Sequence, residues 1–454
     1  MKVSQNWLKS LVEINISPND LSEKLSIGGF EVESLIDCSE NVQGVVLGKI
    51  LSVLKHKNSD KLSICNVDIG SSNPLQIICG AKNVEPNIYV YVATIGSHLS
   101  NINLTIKRSE IRGVMSEGMI CSLEELGIED HSEGIAVIDE EIALKHKLGT
   151  PVSLLLGLND YIYDLAITAN RPDGMSVVGI AREISALLET KLHFPEISNG
   201  YKFKIFKNIN LCTEAISKNC LYSITHIDFV NGKKLSPQWL KERLDKSGIK
   251  SINLLVDITN YILLEQGQPL HAFDKDKLSK LIGREALPGD FSVRKASEHE
   301  TLLCLNGENY NLNENITVVA CDDKPVAIAG VIGGLETAVN DETSSIYLEG
   351  AVFNPVTIRK SSKEIGIRTE SSSRFEKGIS YKNTLDSVTR AINILEEYFN
   401  FKNPIVNTSI KFTNEEILIP LRRERIHKIL GPIIINNQNL DISNQINCFE
   451  IYYF

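Results

Sequence analysis

The chain has 454 residues, 43% of them hydrophobic and 23% charged, with a formal net charge of −10. That length corresponds to roughly three domains of about 150 residues, and the composition is that of a folded globular chain rather than a disordered or fibrous one. The acidic balance excludes binding to nucleic acid through bulk charge, so any RNA contact has to be a local patch or be helped by a partner.

Nine cysteines are scattered with no C-x-x-C pair, so neither a zinc signature nor a disulfide framework is expected, and they read as small buried hydrophobes. Met1–Leu11 has no charged segment followed by an apolar core. No apolar run approaches the roughly 20 residues of a membrane helix. A cytoplasmic chain without membrane association is expected.

In chain order, residues 1–40 read as a small helical lead. Ser17-Pro18-Asn19-Asp20 supplies a cap, a proline at the first helical position and an acid in the first turn, and Gly28-Gly29 ends the helix. Residues 41–150 are β-rich. The runs Val45–Val53, Leu62–Ile69, Leu75–Cys79 and Ile88–Ile95 are divided by turn residues, which predicts a small β barrel, with a helical turn at Leu123–Leu126. Residues 151–200 return to helix: Asp173 is placed as its N-cap, and Val177, Ile180, Ala181, Ile184, Leu187 and Leu188 share one face. This segment is expected to pack on the first 40 residues, making the barrel an insertion. Residues 201–400 mix strands and helices without a βαβ rhythm, an α+β pattern. They close on an amphipathic helix through Leu385, Val388, Ile392, Leu395 and Phe399. Residues 401–454 begin a further small unit.

Lys55, His56, Lys61, Lys82, Lys107, Arg108 and Arg112 place positive charge along the barrel. By charge alone they are ordinary solvated side chains or phosphate contacts. The wording around them is more specific. His56-Lys57-Asn58-Ser59-Asp60-Lys61, Cys79-Gly80-Ala81-Lys82-Asn83-Val84 and Ile106-Lys107-Arg108-Ser109-Glu110-Ile111-Arg112-Gly113 resemble the tRNA-binding module shared by some aminoacyl-tRNA synthetases and free tRNA-binding cofactors. Asn170-Arg171-Pro172-Asp173-Gly174-Met175-Ser176, Val256-Asp257-Ile258-Thr259-Asn260-Tyr261, Gln268-Pro269-Leu270-His271-Ala272-Phe273-Asp274, Ala329-Gly330-Val331-Ile332-Gly333-Gly334 and Leu348-Glu349-Gly350 extend the likeness. Together they resemble the β subunit of bacterial phenylalanyl-tRNA synthetase over nearly all of residues 1–430.

The resemblance implies a multidomain α+β chain. An OB-fold barrel (41–150) is inserted in a small helical or mixed N-terminal module (1–40 and 151–200). An editing domain (201–400) and the start of a winged, DNA-binding-like module (401–454) follow. It implies binding of tRNA(Phe) and an α subunit in an α₂β₂ tetramer, and hydrolysis of tRNA mischarged with tyrosine. ATP and Mg²⁺ serve the whole enzyme at sites outside this chain. It puts His271, Glu349, Thr259, Asn260, Gly330 and Gly333 in the editing site. Glu349 would accept the tyrosine hydroxyl, His271, Thr259 and Asn260 would position ester or water, and the glycines would let backbone N–H groups approach a developing oxyanion. Without the resemblance, Glu349 reads as a surface residue at a strand end, Thr259 and Asn260 as a strand-end turn, and His271 as structural.

Arg359, Lys360, Lys363, Arg368, Arg374 and Lys377 form either a solvated face or a contact for tRNA or the α chain. Lys250 stands where the family often has arginine and Asn306 where it usually has aspartate. The family's β chain continues well past residue 454, so a truncated or frameshifted product is expected. A tRNA-binding module or a hydrolase acting in trans is the alternative to a full ligase subunit.

Overall fold

The structure is a computed structural model that describes residues 1–197, 201–205, 210–211, 221–229, 235–402, 404–410, 422–431, 434–435 and 438–439. It divides into two compact units, residues 1–166 with 183–192, and residues 167–182 with 193–454. Most of the module expected after residue 400 lies outside the described residues.

In the first unit the chain opens with a strand, Lys2–Ser4. The helix Pro18–Ile27 follows, with Ser17 accepting the Asp20 N–H and Leu21 and Leu25 buried on its inner face. A three-stranded antiparallel sheet places Tyr161–Ala166 between Lys2–Ser4 and Glu31–Asp37. The chain therefore leaves this sheet after Asp37 and rejoins it at Tyr161, with the barrel in between.

The barrel strands are Val45–Lys55, Ser63–Asp68, Leu75–Cys79, Tyr89–Thr94 and Gly118–Ile120, with the short Val137–Ile138 on Tyr89–Thr94. The bounds of the first four lie within two residues of the apolar runs expected from the sequence, whereas Gly118–Ile120 and Val137–Ile138 fall outside those runs. The end strands meet where the Glu117 N–H donates to the Gln76 carbonyl at 2.8 Å and the Ile78 N–H to Ser116 Oγ at 3.1 Å. The result is a nearly closed sheet. Inward residues such as Ile50, Val67, Val90 and Val92 are fully buried. Gly48 is required here, because a Cβ would lie 2.6 Å from Val92 Cγ2. The expected helical turn at Leu123–Leu126 is a hydrogen-bonded turn rather than a helix, with the Gly127 N–H donating to the Glu124 carbonyl.

The predicted cap at Asp173 is displaced. Pro172–Met175 forms a 3-10 turn in which Asp173 pairs with Arg171, and Ser176 Oγ accepts the Gly179 N–H at the start of the helix Val177–Leu188. The turn consumes the residues that would have been the first helical turn.

The second unit has two five-stranded sheets. The first runs in the order Lys202–Ile205, Ile405–Ile410, Leu221–Asp228, Ser345–Ala351, Leu270–Asp274. The second runs Asn210–Leu211, Phe291–Lys295, Thr317–Cys321, Lys324–Ile328, Ile332–Gly333. Strand alternation sends Tyr222, Ile224, Phe273, Tyr347 and Ala351 of the first sheet into a common core with Phe291, Val293, Cys321 and Ile328 of the second. The helix Tyr381–Tyr398 covers the opposite face of the first sheet, so close to Gly350 that a Cβ there would be 2.5 Å from Val388. Val388, Ile392 and Leu395 are its buried stripe, as its spacing predicts.

Candidate functional site

His271 lies on Leu270–Asp274 and Glu349 on Ser345–Ala351, directly opposite each other in the antiparallel register. Opposed residues project from the same face, here the face that meets the second sheet. Glu349 is mid-strand and 7% exposed, not a surface residue at a strand end. On its other side the register pairs Glu349 with Ile224, so Tyr222, two residues along, stands diagonally on the same face. The Tyr222 hydroxyl donates to Glu349 Oε2 at 2.9 Å. Burial pushes the Glu349 carboxyl up to about 7, against the smaller opposing effect of the Tyr222 hydrogen bond. Burial beside this carboxylate also raises the Tyr222 phenol well above its ordinary value, so the phenol remains a donor.

The His271 ring stands edge to face on Phe273, centroids 4.4 Å apart. Its Nε2 is buried and has no hydrogen-bond partner among the described residues. Burial pushes the imidazole down to about 4, so it is neutral at pH 7. The backbone of Ile332–Gly333 lies against this ring: a Cβ on Gly333 would be 2.4 Å from His271 Cε1 and 2.8 Å from Nε2. Gly330 has a left-handed φ of +65°, with the rings of Phe353 and Phe375 and the Ile358 methyl at 2.9–3.0 Å from where a Cβ would stand. The Gly334 N–H is already committed to the Val326 carbonyl.

The structure thus gathers His271, Glu349 and Gly333, with Tyr222 added. Thr259 and Asn260 are in the helix Leu254–Gln266, not in a strand-end turn, and are half-buried. Thr259 Oγ1 donates to the Val256 carbonyl of its own helix. Neither forms a hydrogen bond to His271 or Glu349. Among the later cations, Arg374 is 2% exposed and donates to the Met175 carbonyl and to Glu370, so it belongs to the interior. Tyr222 escapes a reading of the sequence. Its only signal is a strand alternation it shares with every core residue of Leu221–Asp228.

In the barrel, Lys55, Lys61, Lys82, Lys107, Arg108 and Arg112 are exposed and His56 is buried. His56 Nδ1 accepts the Asn58 N–H at 3.1 Å, so Nε2 carries the proton and donates to the Ile111 carbonyl at 3.2 Å. Arg108 pairs with Glu117 at 2.7 Å. A groove of about 860 Å³ opens on the barrel, lined by Ile78, Gly80, Ile106, Lys107, Gly118 and Ile135 among others. Lys107 lines it, and the other six of these residues do not.

Among the described residues no helix is long and apolar enough to cross a membrane, and no group of three or more His, Cys, Asp or Glu side chains is placed to hold a metal ion.

Two family models match the chain: a tRNA binding domain over residues 45–147 and the B3/4 domain over residues 218–400. The chain is 80% identical over 446 residues to the phenylalanine--tRNA ligase β subunit of Prochlorococcus marinus subsp. pastoris, covering 98% of this chain and 54% of that protein. It is 45% identical over 450 residues to the β subunit from a Synechococcus species, covering 99% and 55%. A solved N-terminal fragment of the phenylalanyl-tRNA synthetase β subunit from Pyrococcus horikoshii covers 61% of this chain and 74% of that one. It is only 14% identical and superposes loosely, with a TM-score of 0.29. The chain spans about half the length of the curated relatives it matches, and over that span it belongs to the family of phenylalanine--tRNA ligase β subunits.

Proposed function

We propose that this chain binds tRNA(Phe) through its barrel and hydrolyses tRNA(Phe) mischarged with tyrosine at the His271–Glu349 site. In the same reading it assembles with an α subunit in an α₂β₂ enzyme whose ATP- and Mg²⁺-dependent charging step lies outside this chain. The observation that carries the hydrolytic reading is the buried pair itself. An acid raised to about 7 and a histidine lowered to about 4 face the same side of one sheet without a hydrogen bond to each other. A buried polar atom without a partner calls for an explanation, and displaced pKa values beside it make the pair a candidate functional site.

The chemistry follows from the substrate. Phenylalanine and tyrosine differ by one hydroxyl, and an apolar synthetic pocket rejects the added hydroxyl by only roughly a hundredfold. A second pocket that rewards the hydroxyl supplies the remaining discrimination. Ionised Glu349 accepts a hydrogen bond from a tyrosine hydroxyl, and a phenylalanine ring leaves the same carboxylate buried and unpaired. His271 is too weak a base at about 4 to take a proton at neutral pH, so its work is to orient the ester or the attacking water through its partnerless Nε2. Gly333 admits the backbone beside that nitrogen.

The test is deacylation of Tyr-tRNA(Phe) beside Phe-tRNA(Phe) by the chain and by Glu349→Ala. Hydrolysis of the tyrosyl ester that disappears in the variant is the expected result. Equal rates for both esters, or for both proteins, would sink the editing role and leave a tRNA-binding chain.

A further inference from the structure

We propose that Tyr222 is a positioning residue that divides the two oxygens of Glu349, occupying Oε2 so that Oε1 alone is presented to the substrate hydroxyl. The inference rests on the editing reading above and adds the device by which the carboxylate is aimed.

Three observations carry it. The Tyr222 hydroxyl donates to Oε2 at 2.9 Å, and among the described residues no hydrogen bond to Oε1 is formed. Tyr222 is 1% exposed and locked in the core with Phe291 and Tyr347, so its hydroxyl is a fixed point rather than a mobile one. The register sets the geometry: Ile224 faces Glu349 directly, Tyr222 is its diagonal neighbour, and His271 is opposite on the other flank. A carboxylate has two equivalent oxygens and rotates readily. A donor held on one side breaks the equivalence and fixes the plane of the group. The bond also favours the ionised form, the form that accepts from a hydroxyl, against the burial that opposes it. Tyr222 makes no contact with the substrate in this scheme and acts only through Glu349.

The experiment compares the intact chain with Tyr222→Phe, which keeps the packed ring and removes the oxygen. Deacylation of Tyr-tRNA(Phe) and Phe-tRNA(Phe) is followed from pH 5.5 to 9. The expected result is a tyrosyl rate at pH 7 lower by roughly ten- to a hundredfold, the scale of a hydrogen bond to a charged group, with the phenylalanyl rate unchanged. The midpoint of the tyrosyl pH profile should move upward, because the variant's carboxyl ionises later. A purely structural Tyr222 would change both esters alike and leave the midpoint in place, and that outcome overturns the assignment.

Should Tyr222→Phe not fold, Glu349→Gln provides the second arm. Tyr222 should then hold the amide oxygen and turn its NH₂ toward the pocket, leaving a weak tyrosyl preference with no pH midpoint. A pH midpoint retained in Glu349→Gln overturns the proposal. The Glu349→Ala control separates the two levels. No tyrosyl hydrolysis by the unaltered chain defeats the editing reading itself, whereas tyrosyl hydrolysis that needs Glu349 but ignores Tyr222→Phe defeats this inference alone.

Discussion

The barrel and the sheet that carries His271 and Glu349 use polar residues in opposite ways. On the barrel, six of the seven residues singled out as RNA contacts are exposed cations on long stems, Lys55 at a strand end and the other five in the connecting loops and turns. In the second unit the polar groups are few and buried, and the register of three neighbouring strands sets their positions. Exposed charges attract a polyanion collectively, and each is individually dispensable. Buried groups are expensive to leave unpaired, so each is a sharp requirement. Substitutions in the two regions should therefore differ in size and also in what they change.

The largest effect expected is on stability against pH. His271 takes up a proton at about 4 in the folded chain against an ordinary 6.5, so below pH 6.5 the unfolded chain binds the proton first, and this group makes stability rise from pH 4 to 6.5. Glu349 runs the other way. It ionises at about 7 against an ordinary 4.5, so the folded chain keeps a proton that the unfolded one releases, and stability falls from pH 4.5 to 7. In the unaltered chain the two slopes largely cancel between pH 4.5 and 6.5. His271→Asn should unmask the falling slope and Glu349→Gln the rising one, each worth up to about 3 kcal/mol at 1.36 kcal/mol per pKa unit. Urea unfolding of the two variants across that range checks it, and parallel slopes would show that the pair is not desolvated.

Gly333→Ala should come next. Its methyl would stand 2.4 Å from His271 Cε1, so either the imidazole or the short strand moves. A displacement of about 1 Å costs roughly a hundredfold in rate when a group must be aligned, so tyrosyl-ester hydrolysis should fall by that order. Binding of tRNA to the barrel, read by filter binding, should be unchanged.

Much of this contrast was legible in the sequence, and the parts that were not have physical reasons. Barrel strands were readable because turn residues such as Gly70-Ser71-Ser72-Asn73-Pro74 bracket short β-rich runs. The helix Pro18–Ile27 announced itself by its cap and its proline. Asp173 has the residue type and position of a cap, but Pro172 also suits a 3-10 turn, which displaces the helix start to Val177 and hands the cap to Ser176. Thr259 and Asn260 lie inside a helix because Asn253 caps it from six residues upstream and Gly267 ends it, signals hidden in an apolar run that fits a strand as well. Tyr222 could not be read as a partner of Glu349, because 127 residues separate them and only the register brings them together.

His56 tests the comparison from inside the barrel, since it behaves like a residue of the other unit. His56→Ala leaves the Asn58 N–H and the Ile111 carbonyl without their partner; both bonds are part-buried, so the loss costs about 1 kcal/mol, the scale of an ordinary hydrogen bond. The expected result is a lower barrel melting temperature with the salt dependence of tRNA binding intact. A change in that salt dependence at unchanged stability would instead make His56 a phosphate contact.

The smallest effect, and the one that best defines the exposed class, belongs to the cations taken singly. Lys107 is exposed and lines the barrel groove, so it is the one most directly placed to meet a strand lying there. A lysine that neutralises one phosphate of a single strand contributes about 0.7 to the slope of log affinity against log salt. Lys107→Ala should therefore weaken tRNA binding by only a few-fold at moderate salt and lower that slope by about this amount. Because the contact carries no base information, the loss should be equal for cognate and non-cognate tRNA. Lys55→Ala, whose side chain does not line the groove, serves as the reference: a drop in slope for Lys107 and none for Lys55 would place the RNA in the groove. Equal small drops for both would mean that the barrel attracts RNA over its whole surface, and that the groove plays no special part.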